Sequence, residues 1–125
     1  MSKILILDDD QDLLNVVKSM LKKKGFEVLA FADWRKAWEN IKKTKPNLIL
    51  LDVFLKGFDG LDVCKKIKAT FSTRNIPVIM VSSFPNIADT AIYEYGADEF
   101  IAKPFEVNEM MRKINSVLSV KHATA

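Results

Sequence analysis

NLILLDVFLKGFDG, residues 47–60, decides how this chain folds. The apolar run Leu48 to Leu51 stops on Asp52, and Gly57 and Gly60 mark a loop before an amphipathic segment opens at Leu61. A short unbroken Leu/Ile run bounded in this way is a strand buried on both faces, as in a parallel sheet. Open parallel sheets bind their ligands just beyond the carboxyl ends of the strands. Three other runs stop on groups suited to phosphate chemistry: Ile4 to Leu7 on Asp8, Asp9 and Asp10, Val78 to Val81 on Ser82, and Phe100 to Ala102 on Lys103. Chemistry placed on four strand ends points to one shared site.

Outward from that stretch, strand-like and helix-like segments alternate. Lys3 to Leu7 reads as a strand and Asp10 to Lys24 as a helix, with Leu13, Leu14, Val17 and Leu21 at helical spacing and Gly25 as its stop. Phe26 to Phe31 is the second strand. Asp33 caps a helix over Trp34 to Thr44, and Pro46 precedes the third strand, Asn47 to Asp52. Leu61 to Thr70 is a helix, Ile76 to Ser82 the fourth strand, Pro85 to about Tyr95 a helix closed by Gly96, Asp98 to Ala102 the fifth strand and Phe105 to about Val120 the last helix. The expected class is α/β, a doubly wound, flavodoxin-like five-stranded parallel sheet in the order 2-1-3-4-5, flanked by five helices. That order makes the four reactive strand ends neighbours and leaves strand 2 outside.

Composition narrows the alternatives. At 125 residues and 49% hydrophobic the chain supplies one core, so residues 1–120 form one domain, with Lys121 to Ala125 expected as a disordered tail. No stretch is apolar enough to span a bilayer and no signal peptide precedes the first strand, so a cytoplasmic location is expected. The single Cys64 forms no internal disulfide and reads as a buried, inert helix residue. Net charge is +3, but the lysines are scattered along helix faces and ends without a recognition pattern, so no direct nucleic-acid contact is expected.

Adjacent strands lie about 4.8 Å apart, which brings Asp9 and Asp52 within several ångströms. At an effective dielectric near 20 such a pair repels by about 3 kcal/mol, and Asp8 adds to it. Protonation or a cation must offset this. Lys103 supplies part of the compensation, and an oxygen-only donor set without His or Cys favours Mg²⁺ for the rest. A carboxylate beside a hard cation, an ammonium and a hydroxyl is equipped to attack a phosphoryl group, with Asp52 the best-placed nucleophile. Taken singly, each residue has a bland reading: Asp8, Asp9 or Asp10 as a helix cap or turn residue, Asp10 and Asp12 as helix-start residues, Ser82 as a weak signal and Lys103 as a commonplace exposed lysine. Their coincidence is what carries weight.

On these residues the chain strongly resembles the receiver domain of response regulators in two-component signalling. ILILDDDQDL resembles the family's acidic pair after strand 1, DVFLKGFDG its phosphoacceptor segment, PVIMVSS the strand ending on its switch hydroxyl, and GADEFIAKPF its lysine-proline. The resemblance spans Lys3 to about Val120. It implies a signalling phosphoacceptor rather than an enzyme: Asp52 accepts a phosphoryl group from a histidine kinase or phosphotransfer protein and slowly loses it by hydrolysis. It also implies that Asp9 binds Mg²⁺ directly, Asp8 assists through water and Phe54 lends its backbone carbonyl. Ser82 becomes the switch hydroxyl, Lys103 the phosphate contact beside a cis bond to Pro104, and Phe100 the switch aromatic. Output would pass through the face of helix 4, strand 5 and helix 5, including Ile92, Tyr93 and Phe100, to a partner or to a second copy in a phosphorylation-dependent dimer.

Some positions depart from the family pattern. Lys56 stands where proline is most common, Ser83 where Ala or Gly is usual, and the segment from Ser82 to Gly96 is slightly short. Phe54 and Phe84 are expected to flank the site and limit attack by water. The only histidine, His122, lies in the expected tail, so no phosphohistidine donor is expected in the domain. Two rivals are a phosphatase of the haloacid dehalogenase class using Asp8 as nucleophile, and a receiver-like module that signals without phosphorylation. The first wants a longer chain and usually a cap, and leaves Asp52 less well explained; the second would be free to lose the intact set Asp8, Asp9, Asp52, Ser82 and Lys103.

Overall fold

The computed structural model describes residues 2–119 and, beyond them, only the backbone course of the last helix. In chain order its elements are β1 (Lys3–Leu7), α1 (Gln11–Lys23), β2 (Glu27–Phe31), α2 (Trp34–Thr44), β3 (Leu48–Asp52), β4 (Phe54–Leu55), β5 (Phe58–Asp59), α3 (Gly60–Ala69), β6 (Val78–Ser82), α4 (Ala88–Tyr93), β7 (Glu99–Ala102) and α5 (Val107–Thr124). The large sheet has the order β2-β1-β3-β6-β7 with every neighbour parallel. With the two-residue strands β4 and β5 set aside, this is the expected 2-1-3-4-5.

Alternation along the strands divides the core in two, because successive side chains leave opposite faces of a sheet. Leu5, Leu7, Ile49, Leu51, Val78, Met80 and Phe100 pack with Ala37 and Ile41 of α2, Cys64 and Ile67 of α3 and Ala91 of α4. Ile4, Ile6, Leu48, Leu50, Ile79, Val81 and Ile101 face the other way, onto Leu14, Val17 and Leu21 of α1 and Met110, Ile114 and Leu118 of α5. A fully buried aliphatic side chain contributes about 1.5–3 kcal/mol, so the strands are fixed from both faces.

Caps set the helix starts. Asp10, Asp33 and Asp59 each accept a backbone N–H from Leu13, Arg35 and Leu61 at 3.1, 2.9 and 2.8 Å, which satisfies a donor the first helical turn leaves free. Asp10 is therefore the cap of α1 rather than its first residue.

Several expectations need correction. The segment read as a helix from Pro85 to Tyr95 is a 3-10 turn over Pro85–Ile87 followed by a six-residue α4 ending at Tyr93. No side chain caps either piece, which fits their shortness. The loop after Asp52 contains an antiparallel hairpin pairing Phe54 with Asp59 and Leu55 with Phe58, too short to show as periodicity. Helix α5 opens at Val107, not Phe105. The backbone of α5 continues through Thr124, into the segment Lys121 to Ala125 with His122 expected as a disordered tail, and Ala125 lies outside the described residues.

The amino-end edge of the sheet is tied by charge. The Lys68 ammonium donates to the Ile76 carbonyl at 2.8 Å and to the Asp98 carboxylate at 2.7 Å, and the same carboxylate oxygen accepts from the Val78 N–H at 2.8 Å. Among the described residues no helix is long and apolar enough to cross a membrane.

Candidate functional site

The register Leu7↔Leu51, Asp52↔Val81 and Ser82↔Ala102 places the carboxyl ends of β1, β3, β6 and β7 side by side. Asp8 follows β1 and is buried. One of its carboxylate oxygens accepts the Asp10 N–H at 2.9 Å, and the other accepts the Lys103 ammonium at 2.9 Å. Asp52 ends β3 with 8% of its surface exposed. Its carboxylate stands 3.6 Å from the Lys103 ammonium and accepts the Phe54 N–H at 3.4 Å. A single lysine thus bridges two buried carboxylates, with its closer contact to Asp8. Lys103 follows β7 and is joined to Pro104 by a cis peptide bond, as the resemblance implied.

The electrostatics of Asp52 follow from this setting. Its pKa is pushed from 3.8 up to about 6, first by burial and next by the negative charge of Asp8. Lys103 and the Phe54 N–H pull it back, and Asp9 adds a smaller upward push. Asp8 and Asp52 line a cavity of about 20 Å³ together with Ile6, Leu50, Val81 and Met110. Apolar walls of this kind leave a carboxylate poorly solvated on that side.

Asp9 stands apart from the other two carboxylates. It is exposed, and its side chain accepts the backbone N–H of Lys56 in the β4–β5 turn. Accordingly, no group of three or more His, Cys, Asp or Glu side chains among the described residues is drawn together to hold a metal ion. The donor set still suits a hard cation: three carboxylates against one ammonium, all oxygen, with the charge of Asp52 opposed by its surroundings.

Ser82 is 1% exposed, and its Oγ accepts the Phe84 N–H at 3.1 Å, two residues along its own chain. Phe54 and Phe84 sit at the mouth, 58% and 56% exposed, with ring centroids 5.2 Å apart in an edge-to-face arrangement. Phe100 is 5% exposed within the α2–α3–α4 side of the core, so its expected place on a partner surface is corrected: the aromatic already lies inward. Tyr93 is the strongly exposed member of that face.

Two residues escaped the reading from sequence. Gly60 donates its N–H to the Val53 carbonyl at 2.7 Å, and a Cβ there would stand 2.1 Å from the Asp52 carbonyl oxygen, so only glycine lets α3 start against the end of β3. Its presence in the loop was visible, its closeness to Asp52 was not. The Lys56 amide left no signal at all, since a backbone donor carries no side-chain signature.

Residues 4–115 match the family model of the response regulator receiver domain. The chain belongs to that family. It is similar, at 34% identity over 119 residues, to the sensory transduction protein RegX3 of Mycolicibacterium smegmatis, a match covering 94% of this chain and 51% of that one. It is 31% identical over 117 residues to the DNA-binding response regulator MtrA of Mycobacterium leprae, covering 93% and 51%. The chain therefore spans about half the length of the curated relatives it matches. Among solved structures, the CheY-like receiver domain protein of Methanospirillum hungatei superposes with a TM-score of 0.91 at 26% identity, covering 100% of this chain and 99% of that one. The family acts in two-component signalling, and the sheet order agrees with that fold.

Proposed function

We propose that this receiver domain takes a phosphoryl group onto Asp52 from a histidine kinase or phosphotransfer protein and passes the change to an output partner. The observation that carries the reading is the Lys103 ammonium held between Asp8 at 2.9 Å and Asp52 at 3.6 Å at the mouth of the sheet. In the transfer, an Asp52 carboxylate oxygen attacks the phosphorus of a phosphohistidine. An O–P bond forms as the N–P bond breaks, and the imidazole leaves with that electron pair and takes up a proton. Burial keeps Asp52 from wasting its negative charge on water, and Lys103 meets charge developing on the transferred oxygens.

Asp8, Asp9, Asp52 and the Phe54 carbonyl are the groups that would hold Mg²⁺, whose charge offsets the carboxylates and the incoming phosphoryl oxygens. Ser82 would give up its bond to the Phe84 N–H to turn its hydroxyl toward the phosphoryl group, with Phe100 already in the inward position that such a turn would favour. The α4–β7–α5 face, with Tyr93 exposed, is the output surface. Because relatives twice as long include a DNA-binding regulator, output to a DNA-binding domain is one route, and a phosphorylation-dependent dimer another. Residues 1–120 act as the receiver unit.

The test is incubation with Mg²⁺ and a small acyl phosphate, read by mass spectrometry. A gain of one phosphoryl group that disappears in Asp52→Asn is expected. A gain lost in Asp8→Asn but kept in Asp52→Asn would make the site phosphatase-like, and no gain from either an acyl phosphate or a phosphohistidine donor would overturn the reading.

A further inference from the structure

We propose that the backbone N–H of Lys56 holds the Asp9 carboxylate away from Asp52 and competes with a divalent cation for it, so that residue 56 sets the cation affinity of the site. The inference rests on the placement of Mg²⁺ proposed above and concerns a group that takes no part in phosphoryl transfer.

The hairpin geometry makes this amide available. β4 and β5 pair Phe54 with Asp59 and Leu55 with Phe58, which leaves Lys56 and Gly57 as the two turn residues. Gly57 has φ +80°, whereas Lys45 is the one non-glycine residue with positive φ among those described. Negative φ at the second position followed by positive φ at the third is the form of a type II turn. In such a hairpin the N–H of Lys56, the first of the two turn residues, is outside the strand pairing and free to donate elsewhere. It donates to Asp9, forty-seven residues earlier in the chain. A backbone N–H on a carboxylate is a charge-assisted bond, stronger than one between neutral groups.

The consequence for the carboxylates is visible in their arrangement. Asp8 and Asp52 share Lys103, whereas Asp9 is exposed and turned to the hairpin, and the three do not gather into a cation cage among the described residues. Asp9 adds less to the raised pKa of Asp52 than Asp8 does, as a carboxylate pulled aside should. For Asp9 to turn toward Asp52 and give Oδ2 to a cation, the bond to Lys56 has to lengthen or break. Proline at position 56 would have no N–H to offer. It also fits the second position of a type II turn without strain, so the substitution removes the donor and keeps the turn.

The experiment compares Lys56→Pro with Lys56→Ala. Both lack the ammonium, and only the alanine variant keeps the amide, so their difference isolates the N–H from the charge. Calorimetric titration with MgCl₂ should show the proline variant binding about three- to tenfold more tightly than the alanine variant. In the wild-type protein the Lys56 amide proton should exchange faster with solvent once MgCl₂ is added. Equal affinities for the two variants, weaker binding by Lys56→Pro, or an amide whose protection is unmoved by MgCl₂ would each overturn the proposal. Failure of the underlying site reading looks different: Mg²⁺ binding would then be absent from the wild-type protein, or indifferent to Asp9→Asn and Asp52→Asn.

Discussion

Replacing Asp52 with Asn removes a charge that the fold holds against burial and against Asp8. With the carboxyl raised from 3.8 to about 6, ionised Asp52 weakens the folded state by about 3 kcal/mol well above that range, at about 1.4 kcal/mol per unit. Only 8% of the residue is exposed, so water screens little of this. The sign comes from proton binding. Between pH 3.8 and about 6 the folded protein keeps a proton on Asp52 that the unfolded chain has released, so stability falls as pH rises through that window. Below it both states are protonated and the contribution vanishes. Asn has nearly the same shape and never ionises. Asp52→Asn should therefore exceed the wild type by about 2–3 kcal/mol near pH 7.5, by about 1 kcal/mol near pH 4.5 and by almost nothing near pH 3. Urea unfolding of both proteins in EDTA-containing buffers at those pH values measures the difference. Equal stabilities near pH 7.5, or a gain that fails to shrink toward acid, would refute the reasoning.

Other expectations follow from single contacts. Gly60→Ala sets a Cβ 2.1 Å from the Asp52 carbonyl oxygen and 2.6 Å from that of Val53; a loss of about 3 kcal/mol or more is expected in urea unfolding, and a loss below about 1 kcal/mol contradicts the close approach. Phe54→Ala and Phe84→Ala each open the aromatic pair over the mouth, and each should shorten the lifetime of phospho-Asp52 several-fold; unchanged hydrolysis rates in both sink the idea that the pair excludes water. Burial pushes the Cys64 thiol up to about 11, so a disulfide reagent near pH 8 should label it only after unfolding, and rapid labelling of the native protein would show that the thiol is accessible.

The sheet order and the identity of its four reactive ends could be read from the chain because buried parallel strands are written as unbroken apolar runs, and their ends are where polarity switches on. Cys64 in the core and the cap Asp33 were legible for similar reasons: the pattern around each is local. What could not be read depends on side-chain geometry across the sheet. Lys103 lies nearer Asp8 than Asp52, a choice made by rotamers and competing charges. Asp9 turns to a backbone amide, and Ser82 to the Phe84 N–H; neither partner announces itself by residue type. The shortening of α4 went unread because Pro85 and Asn86 make a good helix start on propensity, while the uncapped segment settles into a 3-10 turn first. Phe100 is expected on the partner face, and only packing shows it on the inside.

Lys68 and Asp98 give the sheet a mechanical polarity. By gripping Ile76, Val78 and the start of β7 together, they anchor β6 and β7 at one end. The opposite ends of the same two strands carry Ser82 and Lys103. The charged anchor therefore sits at the end of β6 and β7 remote from the reactive groups, while at the other end Ser82 is still held by its pairing with Ala102 and residues 83–87 lie beyond the ladder.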